Sequence, residues 1–159
     1  MRRCAVLVCV LVGCGKGKAS LDPADVQAKV SAEAGKQVGV QVATTTCPQA
    51  APAAGSSFNC NVAFQGGGAL TFKVDQVDAA GSLAIAPVGD WLLGDKMERD
   101  LVTEMFLIGH TKATVVCGDA VMPITLPAQV QCTVSGAGTT TKIAVAVDAK
   151  REVNWTLAP

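Results

Sequence analysis

The sequence predicts an α+β fold of two tandem units, each one helix packed on a four-stranded antiparallel sheet with one disulfide per unit. Three observations predict it. Apolar residues change twice from helical spacing to strict alternation. Matching segments recur in the same order at an offset of about 70 residues. Two later pairs of cysteines fall one pair to each copy. Cys47 answers Cys117, Cys60 answers Cys132, Val77-Asp78-Ala79 answers Val147-Asp148-Ala149, and Ala86-Pro87 answers Ala158-Pro159.

Each unit opens on a helix signal. In the first, Asp22 suits the N-cap, Pro23 the first helical position, and Leu21 and Val26 the hydrophobic-staple positions. That helix is expected to reach Ala34 and stop at Gly35. In the second, Asp95-Lys96-Met97-Glu98 reads as a capping-box variant. Met97, Leu101, Met105 and Ile108 then share one face, and Gly109 ends the helix. Alternation follows each helix. The first unit offers Val38/Val40/Val42, Phe58/Cys60/Val62/Phe64, Leu70/Phe72/Val74 and Leu83/Ile85. The second offers Ala113/Val115/Cys117, Val130/Cys132/Val134, Ile143/Val145/Val147 and Val153/Trp155/Leu157. Turn-rich gaps at Gln65–Gly68, Asp78–Gly81, Gly136–Gly138 and Asp148–Arg151 predict hairpins. The units are expected at 21–87 and 95–159, joined by a connector at 88–94. Trp91, Leu92 and Leu93 make that connector too apolar to hang free, which predicts packing between the units there.

The first 13 residues read as an export signal. Arg2 and Arg3 form a positive n-region, and the apolar run Cys4–Val12 is far shorter than the roughly 20 residues that span a bilayer. The run ends in Leu11-Val12-Gly13-Cys14, which resembles the lipobox of bacterial lipoproteins. The resemblance implies a diacylglycerol on the Cys14 thiol, cleavage just before it, and acylation of the new amine. Several chains, at about 0.8 kcal/mol per buried methylene, make a durable anchor. An ordinary secretory signal would favour an Ala-x-Ala site, which is missing. Residues 14–20 (CGKGKAS) are small and polar, as a tether should be. Gly15 after the cysteine resembles outer-membrane sorting where the host has two membranes.

Thirteen basic and thirteen acidic residues balance in the full chain, and loss of Arg2 and Arg3 leaves the mature part slightly acidic. That argues against nucleic acid as a partner, which needs clustered Lys and Arg. Aromatic residues make up only 4% of the chain, so the cores are built mostly of Val and Ala and gain from staples. Of seven cysteines, Cys4 and Cys9 leave with the signal and Cys14 takes lipid. The remaining four allow three connectivities in an oxidising compartment. One pair per copy selects Cys47–Cys60 and Cys117–Cys132. Each closes a loop of about 14 to 16 residues, worth about 3 kcal/mol in the chain-entropy model. A zinc site is disfavoured by the wide spacing and the single histidine.

Together, the capped helix, the Cys closing the first strand, the Phe58-x-Cys60-x-Val62 or Val130-x-Cys132-x-Val134 strand and the Gly-turn hairpins resemble an uncharacterised family of bacterial envelope lipoproteins. That domain of unknown function occurs singly or in tandem, and the likeness covers nearly all of 21–159. Cys47, Cys60, Cys117 and Cys132 match the family's cysteine positions. The second copy departs at Gly118, where the first has Pro48. The layout is also similar to that of the beta-lactamase inhibitory protein, with two helix-plus-four-strand repeats and one disulfide in each. Architecture alone does not fix function.

No constellation nominates chemistry. His110 follows a helix-ending glycine and reads as a surface residue near the negative helix terminus. Gly66-Gly67-Gly68 precedes a strand and lacks the Lys-Ser/Thr of a phosphate loop, so it reads as a turn. Asp75, Asp78, Asp90, Asp95, Glu98, Asp100 and Glu104 read as solvated carboxylates, and Trp91 and Trp155 as packing residues. No catalytic residue, metal or cofactor is expected. The expectation is a lipid-anchored extracytoplasmic module, tied to the membrane through Cys14, that binds an envelope protein or cell-wall component without catalysis. The alternatives are an inhibitor-like cap on an extracytoplasmic enzyme, a hydrolase with an unrecognised site, and a structural spacer.

Overall fold

The computed structural model describes residues 21–48, 55–78 and 80–157. The signal at 1–13, the tether at 14–20 with Cys14, and Ala158-Pro159 lie outside the described residues. The fold is α+β, with antiparallel sheets throughout.

Helix α1 (Pro23–Val38) starts as its sequence directs: Ala24 donates to the Asp22 carboxylate at 2.9 Å, and Pro23 follows the cap. It does not stop at Gly35. Val26, Val30, Ala34 and Val38 recur every four residues and are all buried, so the apolar face carries the helix one turn further. Gly39, at φ 77°, then caps it in the left-handed region. Val38 therefore ends the helix and does not open a strand. Strand β1 is Val42–Thr46, followed by β2 (Ser57–Phe64), β3 (Ala69–Gln76) and β4 (Leu83–Pro87). They form a four-stranded sheet in chain order, and α1 approaches every strand of it.

The expected connector carries a strand, β5 (Asp90–Leu93). It leads into α2 (Gly94–Leu107), then β6 (Thr114–Val116), β7 (Val121–Ile124), β8 (Ala128–Gly136), β9 (Thr139–Val147) and β10 (Val153–Leu157). The second four-stranded sheet has the order β10-β9-β8-β6, while β5 and β7 pair as a separate ribbon. Pro123 sits in β7 opposite Trp91, a position tolerated because a two-stranded ribbon leaves one edge of each strand free.

The start of α2 differs from the sequence reading. Asp95 is not the N-cap; the helix begins at Gly94, and Leu93 in the cap position makes no side-chain bond. The Gly94 amide instead donates to the Ala120 carbonyl at 2.9 Å, and Glu98 accepts from the Cys117 amide at 2.8 Å. The capping residues are thus committed to the β6–β7 segment. At the far end Gly109 does stop the helix: its amide reaches the Phe106 carbonyl and the His110 amide reaches Met105, a Schellman pair. Ile108 lies beyond the last turn and is 60% exposed, so it is not on the buried face.

Disulfides join Cys47 to Cys60 and Cys117 to Cys132, each linking the residue after an edge strand to the neighbouring strand. All four cysteines are buried in the two cores. One core lies between α1 and the first sheet, the other between α2 and the second. The two cores meet along β5 and β7. Along β5 the side chains alternate, Trp91 and Leu93 packing on the first core and Leu92 on the second. In β7, Val121 is fully buried in the first core and Met122 packs on the second.

The glycine turn between β2 and β3 closes this junction. Ala120 donates to the Gly66 carbonyl and Val121 to Gly67, at 3.0 and 3.3 Å. Gly68 lies so close that a Cβ there would sit 1.7 Å from the Val121 carbonyl oxygen. The Gly66-Gly67-Gly68 segment is the turn its sequence predicts, and it is also a latch between the halves.

Candidate functional site

An apolar opening on the second half follows from a mismatch between α2 and the sheet beneath it. Strands β8 and β9 run on to Gly136 and Thr139 while α2 ends at Leu107. Beyond the helix, the helix-facing side of the sheet is uncovered. On β9, Ile143, Val145 and Val147 are buried, but Thr141, next on the same side, is exposed.

The first sheet shows what is missing. There Cys60 pairs with Phe72 and Val62 with Leu70. In the second sheet Cys132 pairs with Ile143 and Val134 with Thr141. Counted from the cysteine, Thr141 takes the place of Leu70, Ile143 that of Phe72, and Gly136 that of Phe64. Phe64, Leu70 and Phe72 are all buried. Smaller or polar side chains thus replace core groups at one end of the second sheet.

The outcome is a cleft of about 610 Å³, within the usual range for small-molecule sites. Ile143, Met105 and Val134 form its floor, Trp155 one wall, and the α2–β6 loop with His110 and Lys112 another. Thr111, Thr139 and Thr141 add hydroxyls. Its surface is mostly apolar. The Trp155 indole N–H donates to the Glu104 carboxylate, which ties β10 to α2 at the rim. Ile108, 60% exposed just beyond α2, lines the mouth, and Phe106 and Leu107, exposed by 59% and 76%, precede it on the last turn of the helix. Two shallower hollows elsewhere, along β4 and α1 and beside β10, have no comparable apolar floor.

The sequence-derived site residues fall in different places. The Cys47–Cys60 and Cys117–Cys132 bonds lie inside the cores, away from solvent, and act as staples. Cys14 lies outside the described residues. His110 is exposed, as its position after a helix predicts, but it lines the cleft. Several carboxylates expected to be solvated have partners: Glu98 holds the Cys117 amide, Glu104 the Trp155 indole, and Asp90 pairs with Arg151. Asp100 pairs with Lys96 at 2.7 Å. Trp155 does more than pack, since it forms the cleft wall.

Two aspartates have carboxyl groups held below the ordinary range. Asp75 is lowered by the Ser57 hydroxyl and then by Lys73. Asp78 is lowered by the Ser82 amide and hydroxyl, with smaller help from the amides of Ala80 and Gly81. Both lie on the first half, in a strand and a turn, and neither borders the cleft. No cluster of three or more His, Cys, Asp or Glu among the described residues is placed to hold a metal ion. No helix among them is long and apolar enough to cross a membrane.

No protein-family model, no curated protein and no solved structure matches this chain.

Proposed function

We propose that this protein is a lipid-anchored extracytoplasmic module, built of two tandem helix-on-sheet units, that binds a component of the cell envelope through the cleft of its second unit. The cleft carries this reading. A core position that is sealed in the first sheet is open in the second, and the opening is floored with apolar groups, bordered by hydroxyls and flanked by exposed Phe106, Leu107 and Ile108. Stable proteins seldom leave such surface in water without a use. Two buried disulfides suit an oxidising compartment, and the Leu11–Cys14 motif supplies the anchor. Binding is non-enzymatic in this reading.

The test replaces Thr141 with a photo-crosslinking residue in cells that make the native chain or Cys14→Ser. The reading expects a discrete adduct at position 141 that depends on lipidation, and an intact mass for the native protein that begins at a lipid-modified Cys14. An intact Met1 with free thiols would remove the compartment. Adducts of the same yield from a crosslinker on the solvent face of α1 would remove the cleft. The apolar exposure at 106–108 also favours a second reading, an inhibitor-like cap on an envelope enzyme. That reading expects a crosslinker at Leu107, and not at Thr141, to trap one stoichiometric protein.

A further inference from the structure

Resting on that reading of the cleft, we propose that its occupant is a single aliphatic chain with an anionic head group, the chemistry of a free fatty acid. The argument begins with shape. The opening lies where Leu70 and Phe64 fill the first core, so what it lacks is hydrocarbon. Ile143 and Met105 are covered beneath the cleft, and half-buried Ala113, Val134 and Trp155 over them present the apolar surface that a ligand would touch. A chain of methylenes would be favoured there by about 0.8 kcal/mol for each group withdrawn from water. Met105 is unbranched and adaptable, suited to a ligand without fixed shape.

The mouth supplies the second half of the argument. Lys112 lines it, is exposed, and forms no ion pair among the described residues. His110 stands two residues away, and Thr111 and Thr141 offer hydroxyl donors, while the Thr139 hydroxyl donates to the Gly136 carbonyl at 2.9 Å. Among the described residues no carboxylate lines the cleft, and Glu104, beside it on α2, is occupied by the Trp155 indole. An anionic head group therefore meets a lysine of opposite charge and hydroxyl donors, whereas a cationic one would meet a lysine of like charge. Ile108 at the rim, with exposed Phe106 and Leu107 just before it in the chain, gives the ligand an apolar path in from a lipid phase.

The experiment uses the full chain in phosphatidylcholine nanodiscs, with a diazirine-bearing dodecanoic acid and the matching dodecanol as photoprobes. Adducts are mapped by peptide mass spectrometry. The acid is expected to label Ala113, Val134 and Trp155, the half-buried groups that line the cleft, with unlabelled dodecanoate competing. Thr141→Trp, which closes the cleft from an exposed position, is expected to lower that labelling by about tenfold or more. Thr141→Leu, the residue that fills the equivalent place in the first sheet, should lower it in the same direction. Lys112→Glu is expected to lower acid labelling by about fivefold, the scale of an exposed ion pair, and to leave alcohol labelling unchanged. Retained disulfide mass and thermal melting show that each variant is folded.

Equal labelling by acid and alcohol would overturn the anionic head group. Adducts confined to Phe106–Ile108 and indifferent to both Thr141 variants would mean contact with the bilayer, and would overturn the proposal. If dodecanoate fails while the residue-141 crosslinker still traps a discrete envelope component, the ligand class falls and the binding cleft stands.

Discussion

Replacing Gly68 with alanine tests how the two halves are joined. Gly68 has φ 85°, and a methyl group there would lie 1.7 Å from the Val121 carbonyl oxygen, which belongs to backbone and cannot swing aside. The positive φ alone costs an L-residue roughly 1–2 kcal/mol. Relief of the clash requires the β2–β3 turn to part from β7. That breaks the bonds from Ala120 to Gly66 and from Val121 to Gly67, and loosens Val121, which is fully buried in the first core. Exposure of such a side chain and loss of the two backbone bonds together add up to about 3 kcal/mol. The expected loss is therefore about 3–5 kcal/mol, a large part of the 5–15 kcal/mol that holds a typical domain together. Gly39→Ala is the internal control: φ is 77°, but a Cβ there meets nothing within 4 Å. It should cost only about 1–2 kcal/mol. Urea unfolding, followed by far-ultraviolet circular dichroism with both disulfides intact, measures both. If Gly68→Ala proves no worse than Gly39→Ala, the close approach does not hold the halves together and the reasoning fails.

Other expectations follow from the same geometry. Removing either disulfide as a double alanine variant should cost about 3 kcal/mol, because the bridged residues are 13 and 15 apart in sequence; equal denaturation midpoints with and without reductant would refute it. The Asp78 carboxyl ionises below its ordinary 3.8 because the folded turn hydrogen-bonds its charged form. Its contribution is therefore present above about pH 4 and lost as pH falls through the folded value. Asp78→Asn should flatten the acid limb of a melting curve taken from about pH 6 to about pH 2, and an unchanged limb would count against the turn. Thr141→Leu should raise stability by about 1 kcal/mol through filling of the cleft, read from the urea midpoint; a loss would show that the cleft does not accept hydrocarbon.

Much of the fold is visible in residue order because alternation and turn chemistry agree. Phe58 to Phe64 and Leu70 to Val74 pair across the Gln65–Gly68 turn as their pattern demands. Asp148 caps its hairpin by accepting from Lys150 and Glu152, just as Asp78 accepts from Ala80 and Ser82. Other features depend on tertiary competition. Gly35 and Gly39 are equally plausible stops, and burial of Val38 decides between them. The start of α2 is obscured because Glu98 looks like a capping residue while its actual partner, the Cys117 amide, is remote in sequence. Strand β7 is hidden by Pro123, since nothing local announces that the segment pairs only with Trp91 and its neighbours. The cleft was legible only in comparison. Thr141 looks like any exposed strand threonine until the pairing Cys132↔Ile143 sets it against Leu70.

These features separate what holds the molecule together from what is available for binding. Helix α2 links them. Its first residue, Gly94, is bonded to Ala120 at the shared ribbon, and its last turn borders the cleft. Fourteen helical residues put about 20 Å between those ends. The helix meets its core through Met97, Leu101 and Met105, whereas α1 uses Val26, Val30, Ala34 and Val38. Perturbations at the two ends of α2 share no partner, so their effects should add. Gly68→Ala combined with Lys112→Glu should show the latch defect in urea and the head-group defect in photolabelling, each as large as in its single variant. A double variant that deviates from that sum by more than about 0.5 kcal/mol in stability would mean that the ribbon and the cleft respond as one unit.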